Sequence, residues 1–184
     1  MRKIQVQALA LVASWLVVAA HAAPAQQTRF DEREVKAVFL LNFVQFVEWP
    51  SSAFDSADSP IVIGVLGDDP FGRLLDDVVQ GEVVKGRQVT VARFRRAGDV
   101  KTCHVLFVSP SEAGMYAQIL TVLNGRPTLT VGETESFTSR GMIRFLTERS
   151  RIRLEVNLTA AKTAGLTISS NLLRAARIVG APRS

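Results

Sequence analysis

The chain has 184 residues, 47% apolar and 21% charged, with 22 Lys+Arg against 17 Asp+Glu. That balance suits a single globular domain with its own core and excludes disordered, collagen-like and multi-span membrane chains. One cysteine and two histidines exclude an internal disulfide framework and a cysteine-built zinc site, so no metal and no cofactor are expected.

Arg2 and Lys3 precede an uncharged apolar run, Ala8 to Ala20, and Ala20-His21-Ala22 follows it. A short basic start, an apolar stretch well under a bilayer span and an A-x-A site describe a secretory signal peptide, residues 1–22. The 162 residues that remain hold 20 Lys+Arg and 17 Asp+Glu, a net +3. An exported, mildly basic chain is not expected to bind nucleic acid. Residues 23–30 form a polar, flexible leader, and residues 31–180 form the domain.

Asp31 is placed to cap a helix, with Glu34 three residues on and Phe30 and Val35 at the staple positions. That helix runs to about Glu48 and is apolar around most of its girth, so it is buried on more than one side. Trp49-Pro50 ends it. Ile61 to Leu66 is apolar throughout, as in a strand covered on both faces. Asp69 then caps a helix with Pro70 in its first turn. Gly81 and Gly86 frame a turn, and Gln88 to Phe94 alternates as a strand.

Cys103 to Val108 is a further buried strand. Ser109-Pro110 starts a helix from Ser111 to Leu123. Thr128 to Val131 is a fourth strand. Gly141 to Thr147 and Arg151 to Val156 form an antiparallel hairpin. Asn157 caps a short helix ending at Gly165, and a last helix runs from Ser169 or Ser170 through Val179. The order predicts an α/β fold: a mixed, largely parallel sheet flanked by helices on both faces, in one domain.

Catalytic chemistry is hard to assemble. The turn from Gly64 to Gly72 joins strand to helix, but it lacks a G-x-G-x-x-G and a Walker lysine, and Asp68 and Asp69 oppose a phosphate. Asp76 and Asp77 are adjacent on a helix and do not face one another. Cys103 and His104 alternate in a strand and point to opposite faces, so the imidazole does not activate the thiol. No G-x-S-x-G occurs. The chain is therefore not expected to be an enzyme. Arginines crowd the region of Arg93, Arg95 and Arg96 and the run Arg140, Arg144, Arg149, Arg151 and Arg153. Such runs are either solvated strand faces or patches for an acidic partner or lipid headgroups. Glu155, between two arginines, is either an internal ion pair or a partner contact.

Several ordered stretches resemble the YfiR-like family of bacterial periplasmic proteins. They are Lys36 to Phe43 with Val47-Glu48-Trp49-Pro50, Gly67 to Gly72, Gly86-Arg87, Cys103 to Val108, Leu129-Thr130-Val131-Gly132 with Phe137, Gly141-Met142-Ile143, Arg153-Leu154-Glu155-Val156-Asn157, and Gly165 to Leu173. The resemblance implies a periplasmic repressor that holds an inner-membrane diguanylate cyclase of YfiN type inactive. An outer-membrane lipoprotein of YfiB type sequesters such repressors, and relief raises cyclic di-GMP and biofilm formation. It also implies a homodimer. The lone Cys103 departs from relatives with further, disulfide-forming cysteines. The expected partner-binding residues are Ile143, Arg153, Glu155 and Asn171, on the hairpin and final helix. Core packing stands as the other reading of Ile143. On the contact reading, Glu155→Arg weakens repression and leaves the fold intact. The alternative function is a periplasmic small-ligand sensor with its pocket at the strand ends near Asp68 and Asp69.

Overall fold

The computed structural model describes residues 31–180. The expected signal peptide, the leader and Phe30 of the staple lie outside the described residues. The elements in chain order are α1 (Glu32–Phe46), β1 (Val47–Glu48), β2 (Ile61–Leu66), α2 (Arg73–Val79), β3 (Val83–Val84), β4 (Arg87–Phe94), β5 (Val105–Val108), α3 (Tyr116–Val122), β6 (Leu129–Gly132), β7 (Ile143–Glu148), β8 (Arg151–Asn157), α4 (Leu158–Thr163), β9 (Thr167–Ile168), α5 (Ser170–Arg174) and β10 (Ala176–Val179).

The main sheet has the order β10-β8-β7-β6-β5-β2-β4-β3. Its neighbours are parallel except at β7–β8 and β3–β4, so the sheet is mixed and largely parallel, as the sequence predicts. β1 and β9 form a separate two-stranded antiparallel pair.

Two apolar clusters cover the two faces. On one face, α1 inserts Leu40, Phe43 and Val44 against Ile63, Val105, Phe107, Val131 and Phe145. On the other, Tyr116, Ile119 and Leu120 of α3 pack with Leu66, Leu106, Val108 and Phe137. This is why β2 and β5 read as unbroken apolar runs: both of their faces leave water.

Asp31 caps α1 by accepting from the Arg33 backbone N–H at 2.9 Å. Lys36, on the buried side of α1, reaches Glu133 beyond the end of β6 at 2.9 Å and also pairs with Glu32. The helix is thereby tied to the loop after the sheet as well as to its core.

Several boundaries differ from the sequence reading: α1 stops at Phe46, and Val47–Glu48, expected inside it, forms β1 against β9. The helix expected from Pro70 begins at Arg73, because Gly72 adopts φ 54° and Asp69 instead closes a tight turn, accepting from the Phe71 N–H at 2.8 Å. The helix expected from Ser111 divides into a 3₁₀ stretch, Pro110–Met115, and α3. The last helix stops at Arg174, and Ala176–Val179 forms β10, parallel to β8. The cause of this last change lies outside the segment. The outer edge of β8 offers a row of unpaired backbone groups, and Arg177-Ile178-Val179 satisfies them.

The expected hairpin is present. Arg149 and Ser150, at φ 50° and 57°, link β7 to β8. Two consecutive left-handed residues match the right-handed twist of the flanking strands, the geometry of a type I′ turn.

Candidate partner-binding surface

The corner of the sheet built by β7, β8 and β10 holds three of the four expected contact residues, Ile143, Arg153 and Glu155, and Asn171 lies on α5. Arg144 and Arg177 both stand in register with Glu155, one on each neighbouring strand. Side chains directly opposite on one face are close neighbours. Arg144 Nη1 donates to Glu155 Oε2 at 2.9 Å, and Arg177 Nη2 donates to Oε1. Glu155 is 5% exposed. The Arg144 side chain is 17% exposed and that of Arg177 is 63% exposed. Glu155 is thus a buried carboxylate clamped by one buried and one exposed guanidinium. Arg144 Nε is buried without a hydrogen-bond partner among the described residues.

Charge is divided along the chain. Residues 140–180 hold eight Lys and Arg and two Asp and Glu, a net +6. Residues 31–139 hold ten and fifteen, a net −5. The modest charge of the whole therefore hides a basic C-terminal segment: β7, β8, β10 and the turns beside them carry six of its arginines, while Lys162 lies on α4 and Arg174 on α5. Arg149, Arg151 and Arg153 are exposed at the hairpin and make no ion pair among the described residues. Cations gathered in this way favour an acidic counterpart and speed its encounter.

A family model described as YfiR/HmsC-like matches the sequence over residues 33–177. The chain belongs to the YfiR/HmsC-like family. No curated protein matches it. The family is one of periplasmic regulators of diguanylate cyclase systems, not of enzymes. Within the described residues, no helix is long and apolar enough to cross a membrane.

The expected contact residues of this YfiR/HmsC-like chain are placed unequally. Ile143 is fully buried, in register with Val131 and Val156, which is the core-packing position. Glu155 is an internal ion pair rather than an exposed carboxylate. A Glu155→Arg change would replace both ion pairs with like-charge repulsion beside the half-buried Arg144, so its effect on repression has to be read together with its stability. Arg153 is exposed, opposite Leu146 on the Glu155 side of the sheet. Asn171 is exposed on α5, where its Oδ1 accepts from Arg174. Since α5 packs Leu172 into the core on the α1 side, Arg153 and Asn171 belong to opposite faces of the sheet edge.

Sequence reasoning missed Arg177 because it placed that residue on a helix. The division of charge was countable from the sequence and was the signal that could have found the basic end.

At the strand-end turn, the carboxylates of Asp69 and Asp76 are held by Arg93. Arg93 Nε donates to Asp69 Oδ2 at 2.7 Å, and its Nη2 donates to Asp76 Oδ2 at 2.7 Å and to the Gly72 carbonyl at 2.8 Å. The hydrogen bond from Arg93 holds the Asp76 carboxyl below the usual carboxylate range. Asp69 and Asp76 are thus paired within the protein, while the Asp68 carboxylate makes no ion pair among the described residues. Asp68 contributes its backbone N–H to Ser111 Oγ at 3.0 Å.

Cys103 and His104 have separate structural roles. The Cys103 thiol donates to the Val105 carbonyl at 3.2 Å, and burial pushes it up to about 12, so it stays protonated. His104 Nδ1 accepts from the Val62 N–H at 3.0 Å, which leaves Nε2 to donate to the Ala53 carbonyl at 3.2 Å. That pattern fixes one neutral tautomer. Phe54 stacks on the imidazole with centroids 4.5 Å apart, and Arg87 covers Phe54 at 3.9 Å. His104 therefore pins the loop before β2 to the sheet, and burial holds it below its usual range.

Proposed function

We propose that this protein is a repressor that binds the periplasmic part of an inner-membrane diguanylate cyclase of YfiN type and holds it inactive. Its release raises cyclic di-GMP and promotes biofilm formation. The observation that carries the reading is the basic end of a YfiR/HmsC-like domain, where exposed Arg149, Arg151 and Arg153 flank the buried Arg144–Glu155–Arg177 clamp. A repressor needs no catalytic group. It needs higher affinity for the inactive state of its target, and rigid strands carrying charge supply that.

In this reading Arg153 and Asn171 touch the partner. Ile143 and Glu155 act from inside, by fixing the strands that present them. A lipoprotein of YfiB type competes for the repressor, and the repressor is a homodimer. A cleaved signal peptide delivers the chain to the periplasm.

The test uses the chain purified from the periplasm and the periplasmic domain of its host's cyclase. Calorimetry should show binding that weakens as salt rises, and Arg153→Glu should weaken it at least ~10-fold, as expected when a charge is reversed at a complementary interface. No binding at high micromolar concentrations of both proteins refutes the proposal.

A further inference from the structure

A cavity of about 500 Å3 opens on the sheet face that carries α3. Its walls come from the C-terminal end of α3, from β6, from the turn before β7 and from α4. The size is that of a small-molecule site. Leu120, Leu123, Met142 and Ala164 give it an apolar lining, and several of its polar side chains are spent on internal hydrogen bonds. Asn157 is spent on structure: its Oδ1 accepts from the Ala160 N–H at 2.9 Å and its Nδ2 donates to the Thr138 carbonyl at 2.9 Å. Thr159 is likewise spent, donating to the Gly180 carbonyl at 2.8 Å.

Besides the exposed Asn124 amide, two other groups keep donor capacity. The buried Thr130 hydroxyl accepts from the Met142 N–H at 3.1 Å, which leaves its own proton without an acceptor among the hydrogen bonds of the described residues. Arg140 is exposed on the rim and makes no ion pair among the described residues. The unspent chemistry of the cavity is thus a hydroxyl donor inside, a guanidinium at the mouth and the exposed Asn124 amide, above an apolar floor. There is no carboxylate in its wall to repel an anion.

We propose that this cavity binds a small organic carboxylate with a short apolar tail, the tail on the leucine and methionine floor and the carboxylate between Arg140 and Thr130. A guanidinium recognises a carboxylate through charge-assisted paired hydrogen bonds. The site is separate from the Arg93–Asp69 turn and does not depend on the repressor reading. It also has a route to the basic end. Asn157 closes β8 two residues after Glu155, and Gly180 follows β10 directly. A ligand seated against both residues would favour the paired state of the β8–β10 edge.

The test is titration of the full exported chain with octanoate and 3-phenylpropionate, read by calorimetry and by melting temperature. The matching primary amides serve as neutral probes. The carboxylates should bind saturably and raise the melting temperature, and the amides should bind ~10-fold or more weakly, the order expected for loss of a charge-assisted contact. Arg140→Gln should weaken the acids to the level of the amides. Thr163→Trp, at an exposed position on the cavity wall, should abolish binding of both while circular dichroism stays that of the wild type. Absence of saturable carboxylate binding up to millimolar concentration overturns the proposal. So does equal binding of acid and amide, or an Arg140→Gln variant that binds the acids normally.

Discussion

Glu155→Ala removes the one anion between Arg144 and Arg177. Arg144 is then left with its side chain 17% exposed and its Nε already without a partner, so it becomes an uncompensated buried cation. Breaking a buried pair from one side costs about 3–5 kcal/mol. Arg177, with its side chain 63% exposed, keeps its water, so the lower end, about 3 kcal/mol, is expected. Arg177→Ala should cost less than about 1 kcal/mol, as for exposed ion pairs. Urea unfolding followed by circular dichroism reads the difference. With a slope of about 1–3 kcal/mol/M, the Glu155→Ala midpoint should fall by roughly 1–3 M. The double variant Arg144→Met, Glu155→Leu replaces the charges with apolar groups of similar volume and should return to within about 1 kcal/mol of the wild type. A Glu155→Ala loss no larger than that of Arg177→Ala would refute the buried-clamp account.

Three further outcomes are expected. His104 is held below its usual range, so the unfolded chain binds the extra proton first. Stability should therefore fall as pH drops below the unfolded value near 6.5, and His104→Gln should flatten the urea midpoint between pH 7.5 and 5.5. Cys103 should resist a thiol-labelling reagent at pH 8 in the native chain and react once on unfolding; fast native labelling would contradict its burial. A Cβ at Gly141 would lie 2.3 Å from the Phe137 ring, so Gly141→Ala should cost about 1–3 kcal/mol by overpacking, measurable as a lowered melting temperature.

The legible parts of the fold were those governed by local chemistry. Asp31 marked the start of α1, the apolar run Ile61 to Leu66 marked a doubly covered strand, and the tight link Glu148-Arg149-Ser150 marked a hairpin, which the structure shortens to Arg149-Ser150. The misread parts were decided by neighbours distant in sequence. Nothing within Leu172 to Val179 distinguishes a continuing helix from a turn into a strand. The deciding factor is the open edge of β8, some twenty residues earlier. The same dependence hid the clamp, since the partners of Glu155 include a residue whose strand was not foreseen. Alternation did place Arg153, Glu155 and Asn157 on one face, but it could not tell that β10 covers Glu155. Asp69 was read correctly as a turn residue and wrongly as the cap of a full helix, because the left-handed Gly72 delays the first helical turn.

The measurement that tests the central claim most directly is the cyclic di-GMP content of the host, by mass spectrometry, after deletion of this protein. The account predicts a rise that depends on a membrane diguanylate cyclase. Plasmid-borne wild type should reverse the rise, and Arg153→Glu, present at wild-type level in the periplasm, should reverse it poorly. An unchanged cyclic di-GMP level on deletion, in cells that normally make the protein, would contradict it.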